Sequence, residues 1–169
     1  MKRLILVRHA KTEPLTDAAS DFERKLKRRG INDAALVARD LKSRAYVPEV
    51  LISSPAKRAI QTAHVFAEAY GIPLDDIKQA MFVYDGDTTA RMLDAIAGLA
   101  GNADTVMVVG HNPDMATLSM LLSREDFYHF PTGACTVITF SITDWQDMNV
   151  GQGRSEYFVY PKSLKNSKD

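Results

Sequence analysis

The segment Leu4-Ile5-Leu6-Val7-Arg8-His9 indicates both the fold class and the place of the functional site. Four consecutive apolar residues predict a β-strand that is buried on both faces, as the strands of parallel sheets are. Arg8 and His9 follow this strand directly. Because open α/β sheets bind their ligands at the carboxyl ends of the strands, the pair predicts an anion site that contains a nucleophile or a base.

Two further apolar runs end in similar chemistry. Val50-Leu51-Ile52 leads into Ser53-Ser54-Pro55-Ala56-Lys57-Arg58, and Val106-Met107-Val108-Val109 leads into Gly110-His111-Asn112-Pro113. In each segment proline stands where the first residue of a helix is expected, with Ser54 or Asn112 as the N-cap. Arg58 would then lie in the first turn of one helix, and His111 just before another.

These positions favour phosphate, because free backbone N–H groups and the positive end of the helix dipole lie there. If the three strands are parallel, Arg8, His9, Arg58 and His111 meet at one edge of the sheet. The sequence therefore predicts a phosphate site made of these four side chains.

The remaining pattern alternates strands with helices. Helical spacing of apolar residues follows Gly30, Pro55, the N-cap candidate Thr88, and Pro113, and further strands are predicted at residues 79–84, 135–142 and 156–160. Such alternation implies right-handed crossovers and a mainly parallel sheet. We predict an α/β fold, a three-layer α/β/α sandwich with an antiparallel edge strand. Residues 1–161 are expected to form a single domain, and residues 162–169 a polar tail.

The composition narrows the class of partner. Lysine plus arginine and aspartate plus glutamate both number 21, so the formal net charge is zero. This balance argues against non-specific attachment to nucleic acid or membranes. Cys135 is the single cysteine, which excludes an internal disulfide, and the start of the chain lacks a signal-peptide layout. A cytoplasmic protein is the expectation.

Three motifs resemble those of the histidine phosphatase superfamily, also called phosphoglycerate mutase-like. Leu6-Val7-Arg8-His9-Ala10 resembles its "RHG"-type motif. Ser53-Ser54-Pro55-Ala56-Lys57-Arg58-Ala59-Ile60-Gln61-Thr62-Ala63 is similar to the second motif, and Val109-Gly110-His111-Asn112 to the third. The order and wide spacing of the three also match, so the resemblance implies a phosphoglycerate mutase-like fold and phosphatase chemistry.

A narrower resemblance points to the phosphohistidine phosphatase SixA subfamily. Ala10-Lys11 stands where glycine is more common, and the other matching segments are Asp21-Phe22-Glu23-Arg24-Lys25-Leu26 with Arg29-Gly30, Gly110-His111-Asn112-Pro113, Pro131-Thr132-Gly133 and Tyr160-Pro161-Lys162. Larger members of the superfamily carry a long insertion after the second helix that forms a lid. About 20 residues separate the two helices here, which leaves no room for one.

The roles of the four residues follow from phosphoryl chemistry together with the resemblance. Neutral His9 can attack phosphorus through one ring nitrogen while the other donates to a backbone carbonyl or a carboxylate. The resemblance implies a phosphohistidine intermediate on His9. Arg8 and Arg58 can each grip phosphate oxygens with a rigid fork, and His111 is expected to donate best when it is protonated. No cofactor is implied.

The proton donor to the leaving group is the residue that the sequence leaves open. Asp85, Asp87 and Glu13 are candidates, and Arg24 is a further candidate for substrate binding. A strong acid matters less if the substrate is phosphohistidine, because the P–N bond to a protonated imidazole breaks readily. We therefore expect a phosphohistidine protein as substrate.

Two other functions stay open at this point. One is a small-molecule phosphomonoesterase of the same superfamily, and the other is a phosphate-binding module without catalysis, which the presence of His9 disfavours. His9 and His111 as metal ligands are disfavoured by the neighbouring arginines, which repel a cation. His64 and His129 are expected to be structural.

Overall fold

The computed structural model describes residues 1–166, which are built on one six-stranded sheet. The strands are β1 (Lys2–Arg8), β2 (Val50–Ser53), β3 (Lys78–Gln79), β4 (Thr105–Gly110), β5 (Cys135–Phe140) and β6 (Arg154–Val159). Their order is β3-β2-β4-β1-β5-β6, with β1 to β4 parallel. β5 runs antiparallel to β1, and β6 antiparallel to β5. The predicted α/β fold is confirmed, and its antiparallel edge has two strands.

Helices cover both faces of the sheet. They are α1 (Arg28–Ser43), α2 (Lys57–Tyr70), α3 (Phe82–Asp85), α4 (Thr89–Ala100), α5 (Asp114–Ser123) and α6 (Pro161–Asn166). Ile5 and Val7 of β1 pack into a core with α1 and α2, whereas Leu4 and Leu6 pack into a second core with α4 and α5. The alternation of side chains along the central strand thus makes the predicted three layers. No helix within residues 1–166 is long and apolar enough to cross a membrane.

The strand predicted at residues 79–84 is wrong beyond Gln79. β3 pairs with β2 for two residues only, and the N–H of Ala80 then donates to the carbonyl of Ser53. The chain turns into α3, which buries Val83 against Gly110. A β-carbon at Gly110 would lie 2.9 Å from the Val83 side chain. A short apolar segment can therefore fill the core by a single helical turn as well as by a strand.

The predicted helix starts are also partly wrong. α2 begins at Lys57, two residues after Pro55, and Ser54 does not cap it. Pro113 itself precedes the first residue of α5, although Asn112 Oδ1 still accepts from the N–H of Ala116 at 3.3 Å. The cap predicted at Thr88 is confirmed, because its hydroxyl accepts from the N–H of Arg91.

α1 begins earlier than the sequence pattern indicates. The helix starts at Arg28, and Gly30 lies inside its first turn. The missing side chain at Gly30 allows the backbone of Lys11 to lie directly on the helix, where the Lys11 carbonyl accepts from the N–H of Lys27 at 3.0 Å. The segment that follows β1 is thereby fixed against α1.

The segment predicted as a polar tail is largely helical. α6 packs against α1, and Lys165 Nζ lies 2.6 Å from Asp33 Oδ1. The predicted boundary between residues 161 and 162 therefore falls inside an ordered helix. Residues 167–169 of the predicted tail lie outside the described residues.

Cys135 begins β5, where it is paired with Val7 on one side and Val159 on the other. Its side chain is fully buried. Burial raises the pKa of this thiol well above its ordinary value.

Candidate active site

The carboxyl ends of three parallel strands bring the four sequence-predicted residues together. Arg8 ends β1 and His9 follows it, His111 follows β4, and Arg58 lies in the first turn of α2, which follows β2. The backbone N–H of His9 donates to the carbonyl of Gly110 at 3.0 Å, which joins the ends of β1 and β4. The imidazole rings of His9 and His111 have centroids 5.3 Å apart.

His9 is held in one tautomer. Its Nδ1 lies 2.8 Å from the carbonyl oxygen of Ala10. Because a carbonyl can only accept, Nδ1 carries the proton and Nε2 keeps its lone pair. Burial lowers the pKa of His9 to about 3, and the charges of Arg58 and Arg8 act in the same direction. The ring is therefore neutral near pH 7 and has the form of a nucleophile.

The two arginines are anchored by their ends and keep N–H groups for a ligand. Arg8 Nη1 donates to the carbonyl of Phe130, and Arg58 donates from Nη1 and Nη2 to the carbonyl and carboxylate of Asp21. The Nε atoms of Arg8 and Arg58 are buried and make no hydrogen bond with the described part of the chain. Buried N–H groups of a cation are suited to bind the oxygens of an anion.

His111 is oriented by a serine. Its Nε2 lies 2.8 Å from Ser54 Oγ, which also accepts from the N–H of Ala56. The hydroxyl can donate to Nε2, and in that tautomer the ring proton is on Nδ1, a buried atom that has no partner within residues 1–166. Burial, followed by the charge of Arg58, lowers the pKa of His111 to about 4. The neutral ring thus donates as it stands, and a bound phosphate dianion would raise its pKa.

Comparison with known proteins identifies the family. The sequence model of the histidine phosphatase superfamily (branch 1) matches residues 4–79, which include Arg8, His9 and Arg58. The uncharacterized protein Rv1276c of Mycobacterium tuberculosis is 30% identical over 92% of this chain and 100% of its own length. The chain belongs to the histidine phosphatase superfamily.

A second sequence relative and a solved structure are also similar to this histidine phosphatase. An uncharacterized chloroplastic protein of Arabidopsis thaliana is 30% identical over 72% of this chain, and the match spans 59% of that protein's length. The crystal structure of the putative phosphohistidine phosphatase SixA from Agrobacterium tumefaciens superposes with a TM-score of 0.78 and 29% identity, covering 95% of this chain and 98% of that chain. This histidine phosphatase is therefore a SixA-like phosphatase.

Asp21 and Tyr84 are pocket residues of this phosphatase that the sequence analysis did not assign. Asp21 Oδ2 accepts from Arg58 Nη2 and from the Tyr84 hydroxyl, both at 3.0 Å. Burial alone would raise the pKa of Asp21, but the Tyr84 hydrogen bond and the nearby arginines lower it. The ring of Tyr84 stands edge-on to His111, with centroids 5.5 Å apart. This pair connects the anchored arginine to the second histidine.

The other sequence candidates lie outside the four-residue pocket. Arg24 Nη2 donates to Asp21 Oδ1 at 3.2 Å, so Arg24 reaches the pocket through that carboxylate. Asp85 is exposed at the end of α3, and Asp87 accepts from the backbone N–H of Thr88. Glu13 lines a separate cleft that contains Arg24.

Within the described residues, Asp85, Asp87 and Glu13 make no hydrogen bond to His9 or His111. Residues 1–166 contain no cluster of three or more His, Cys, Asp or Glu side chains that could hold a metal ion.

Proposed function

We propose that this histidine phosphatase hydrolyses phosphohistidine through a phosphoryl group carried transiently on His9 Nε2. The observation that carries the proposal is the 2.8 Å contact between His9 Nδ1 and the Ala10 carbonyl. It keeps the lone pair on Nε2, next to the pocket that Arg8 and Arg58 supply with N–H groups.

The first step transfers the phosphoryl group to the enzyme. The Nε2 lone pair of His9 forms a bond to phosphorus as the P–N bond of the substrate breaks, and the leaving imidazole keeps the electron pair and its ring proton. The cations of Arg8 and Arg58 and the Nδ1–H of His111 stabilise the equatorial oxygens. In the second step water attacks phosphorus, the bond to His9 breaks, and inorganic phosphate is released.

The carboxylates near the pocket favour phosphohistidine over alkyl phosphates. An alkoxide leaving group needs a general acid, whereas a protonated imidazole leaves without one. Asp21 is the carboxylate bonded to a pocket residue, and its lowered pKa keeps it ionised near pH 7. A small-molecule phosphomonoesterase would need one of the more distant residues Asp85, Asp87 or Glu13 to move into the pocket.

The substrate we propose is a phosphohistidine displayed on a protein, and the catalytic unit is the single domain built on the sheet. Only β3, α3 and short connections lie between α2 and α4, so no inserted lid covers the pocket from that side. The A. tumefaciens relative is described as a putative phosphohistidine phosphatase, which supports the same class of substrate.

Substrate comparison tests this proposal. Phosphate release is measured from a phosphohistidine protein, p-nitrophenyl phosphate and glucose 6-phosphate, using wild type, His9→Ala and the control His64→Ala. We expect the phosphohistidine protein to be preferred, with at least about a thousandfold loss in His9→Ala and no change in His64→Ala. Brief reaction with labelled substrate should leave an acid-labile, base-stable phosphoryl group on His9.

Two results would contradict the proposal. Equal hydrolysis of the sugar phosphate and the phosphohistidine protein would indicate a general phosphomonoesterase. Unchanged turnover in His9→Ala would show that His9 is not the nucleophile. A chain that binds phosphate through these residues but releases none from any substrate would be a binding module.

A further inference from the structure

A basic groove lies beside the candidate active site. It is a cleft of about 350 Å³ between the segment after β1, the start of α1, the loop before β5, and α6. Its lining includes His129 and the charged residues Lys11, Arg29, Asp33, Lys162 and Lys165. No step of the proposed reaction uses any of them.

The groove begins at the backbone that carries the nucleophile. Lys11 is two residues from His9, and Thr132, which also lines the groove, precedes Gly133. The N–H of Gly133 donates to the carbonyl of His9 at 3.0 Å. A chain bound in the groove is therefore next to the pocket in which the phosphoryl group reacts.

The positive charge of the groove is not neutralised within the described part of the protein. Asp33 is the acidic side chain of the lining, and Lys165 already pairs with it at 2.6 Å. Lys11, Arg29 and Lys162 are exposed and make no ion pair or side-chain hydrogen bond with residues 1–166. Since the whole chain has a formal net charge of zero, this surplus is local.

The charges at the start of α1 are not explained by the stability of the helix. Residues 24–29 contain five cations and no acid, and the first turn of α1 lacks an acidic residue. Cations are disfavoured at this end because the helix dipole is positive there. A binding role accounts for Arg29, which is the one of these five cations that lines the groove, whereas helix formation does not.

We propose that the basic groove docks an acidic surface of the protein that carries the phosphohistidine. This inference rests on the proposed function and adds the partner's chemistry: carboxylates placed beside the phosphorylated histidine. The proposed substrate favours a protein over a nucleic acid, because the groove adjoins the pocket that would hold a phosphohistidine. His129 and Tyr160 meet edge-on in the groove, and Tyr128, which precedes His129, is 87% exposed. Exposed tyrosines are frequent anchors in protein interfaces.

A matched pair of peptides tests the proposal by kinetics. One phosphohistidine peptide carries four glutamates near the phosphorylated residue, and the other carries four glutamines. For wild type we expect the glutamate peptide to have the lower KM, and the difference to shrink with added salt. In the double variant Arg29→Glu/Lys162→Glu, kcat/KM for the glutamate peptide should fall about tenfold or more because KM rises. The kcat/KM values for the glutamine peptide and for free phosphohistidine should not change.

Arg154→Glu is the control for reversing a surface charge away from the groove. Arg154 is exposed at the start of β6, which is the opposite end of the sheet from the pocket. It should behave as wild type with both peptides. Equal losses in the double variant on all three substrates, or the same loss in Arg154→Glu, would overturn the docking role.

Binding without catalysis separates this inference from the proposed function. Fluorescence anisotropy is measured with a labelled, unphosphorylated glutamate peptide and with a labelled single-stranded oligonucleotide. We expect the peptide to bind wild type and His9→Ala alike and to bind the double variant more weakly. If the peptide binds through the groove but wild type does not hydrolyse phosphohistidine, the proposed function is rejected and the docking role is kept. Tighter, groove-dependent binding of the oligonucleotide would reject the acidic protein surface.

Discussion

The two ends of β1 bury cations in opposite ways. At the amino end, Lys2 is 6% exposed, and its Nζ donates to Asp104 Oδ1 at 3.0 Å and to the Asn102 carbonyl at 3.3 Å. At the carboxyl end, Arg8 and the neighbouring Arg58 each retain a buried Nε that has no partner in the described residues. At the first end the ammonium group is paired with groups of the protein, whereas at the second each guanidinium, although anchored through its Nη atoms, keeps an Nε–H for a ligand. The difference separates structural charge from functional charge on one strand.

Arg58→Ala should give the largest effect at the carboxyl end. We expect kcat/KM for the phosphohistidine protein to fall about 10³-fold or more, because the pocket loses a charge that stabilises the transferring phosphoryl group. Arg58→Lys should restore little, since lysine cannot provide the planar fork. The control is Lys57→Ala, the exposed neighbour on α2. If Lys57→Ala lost as much activity as Arg58→Ala, the buried arginine would matter no more for catalysis than an exposed cation.

His111→Ala should lower kcat by about 10²- to 10³-fold, as removal of one donor to a developing charge does. Ser54→Ala should cost about tenfold, because the ring keeps its Nδ1–H and loses only the hydroxyl that orients it. Single-turnover rates measure both. If Ser54→Ala were as damaging as His111→Ala, the serine would have to act on the substrate itself.

Acid should destabilise the carboxyl end first. The pKa values of His9 and His111 are about 3 and about 4 in the folded chain, against an ordinary value of 6.5. The unfolded chain therefore binds protons that the folded chain excludes, and the free energy of unfolding falls as the pH drops from 6.5 towards about 3. The limit is about 1.4 kcal/mol per histidine per pH unit.

Urea unfolding at pH 7.5, 5.5 and 4.5 measures this slope. The double variant His9→Asn/His111→Asn should have a flatter profile than wild type. Identical slopes in wild type and the double variant would show that these two rings do not titrate on unfolding.

Asp21→Asn should have a smaller effect, about tenfold on kcat, because Arg58 keeps its bond to the Asp21 carbonyl and loses the ion pair that orients it. Tyr84→Phe removes a single neutral hydrogen bond and should cost about threefold. A larger loss of kcat in Tyr84→Phe than in Asp21→Asn would indicate that Tyr84 contacts the substrate directly. Steady-state kinetics with the phosphohistidine protein provide the comparison.

Asp104→Asn should have the smallest effect, at the amino end of the strand. Asp104 is largely exposed, so its ion pair with Lys2 is worth about 1 kcal/mol or less. The free energy of unfolding should fall by that amount, and kcat/KM should not change. A loss of activity would show that the two ends of β1 are coupled.

The sequence predicted the parts of this molecule that depend on local pattern. The buried run before Arg8 indicated the central strand, and the three motifs indicated the four pocket residues. Asp21 and Tyr84 were missed as pocket residues because their contacts with Arg58 depend on how a loop and a helical turn fold over the strand ends, which no periodicity records. The N-cap predicted at Ser54 failed because α2 begins two residues later than the pattern indicates, with Ala56 at the N-cap position.

Cys135 gives this protein an internal reporter. Its side chain is fully buried and its pKa is raised, so the thiolate that alkylating reagents need is suppressed in two ways. Reaction at this sulfur requires the core between the sheet and helices α1 and α2 to open, because Cys135 packs in that core beside Val7 of β1. The rate of alkylation in native buffer therefore reports the openings of that core, and a tightly bound phosphate analogue that slows them would be detected without any enzyme assay.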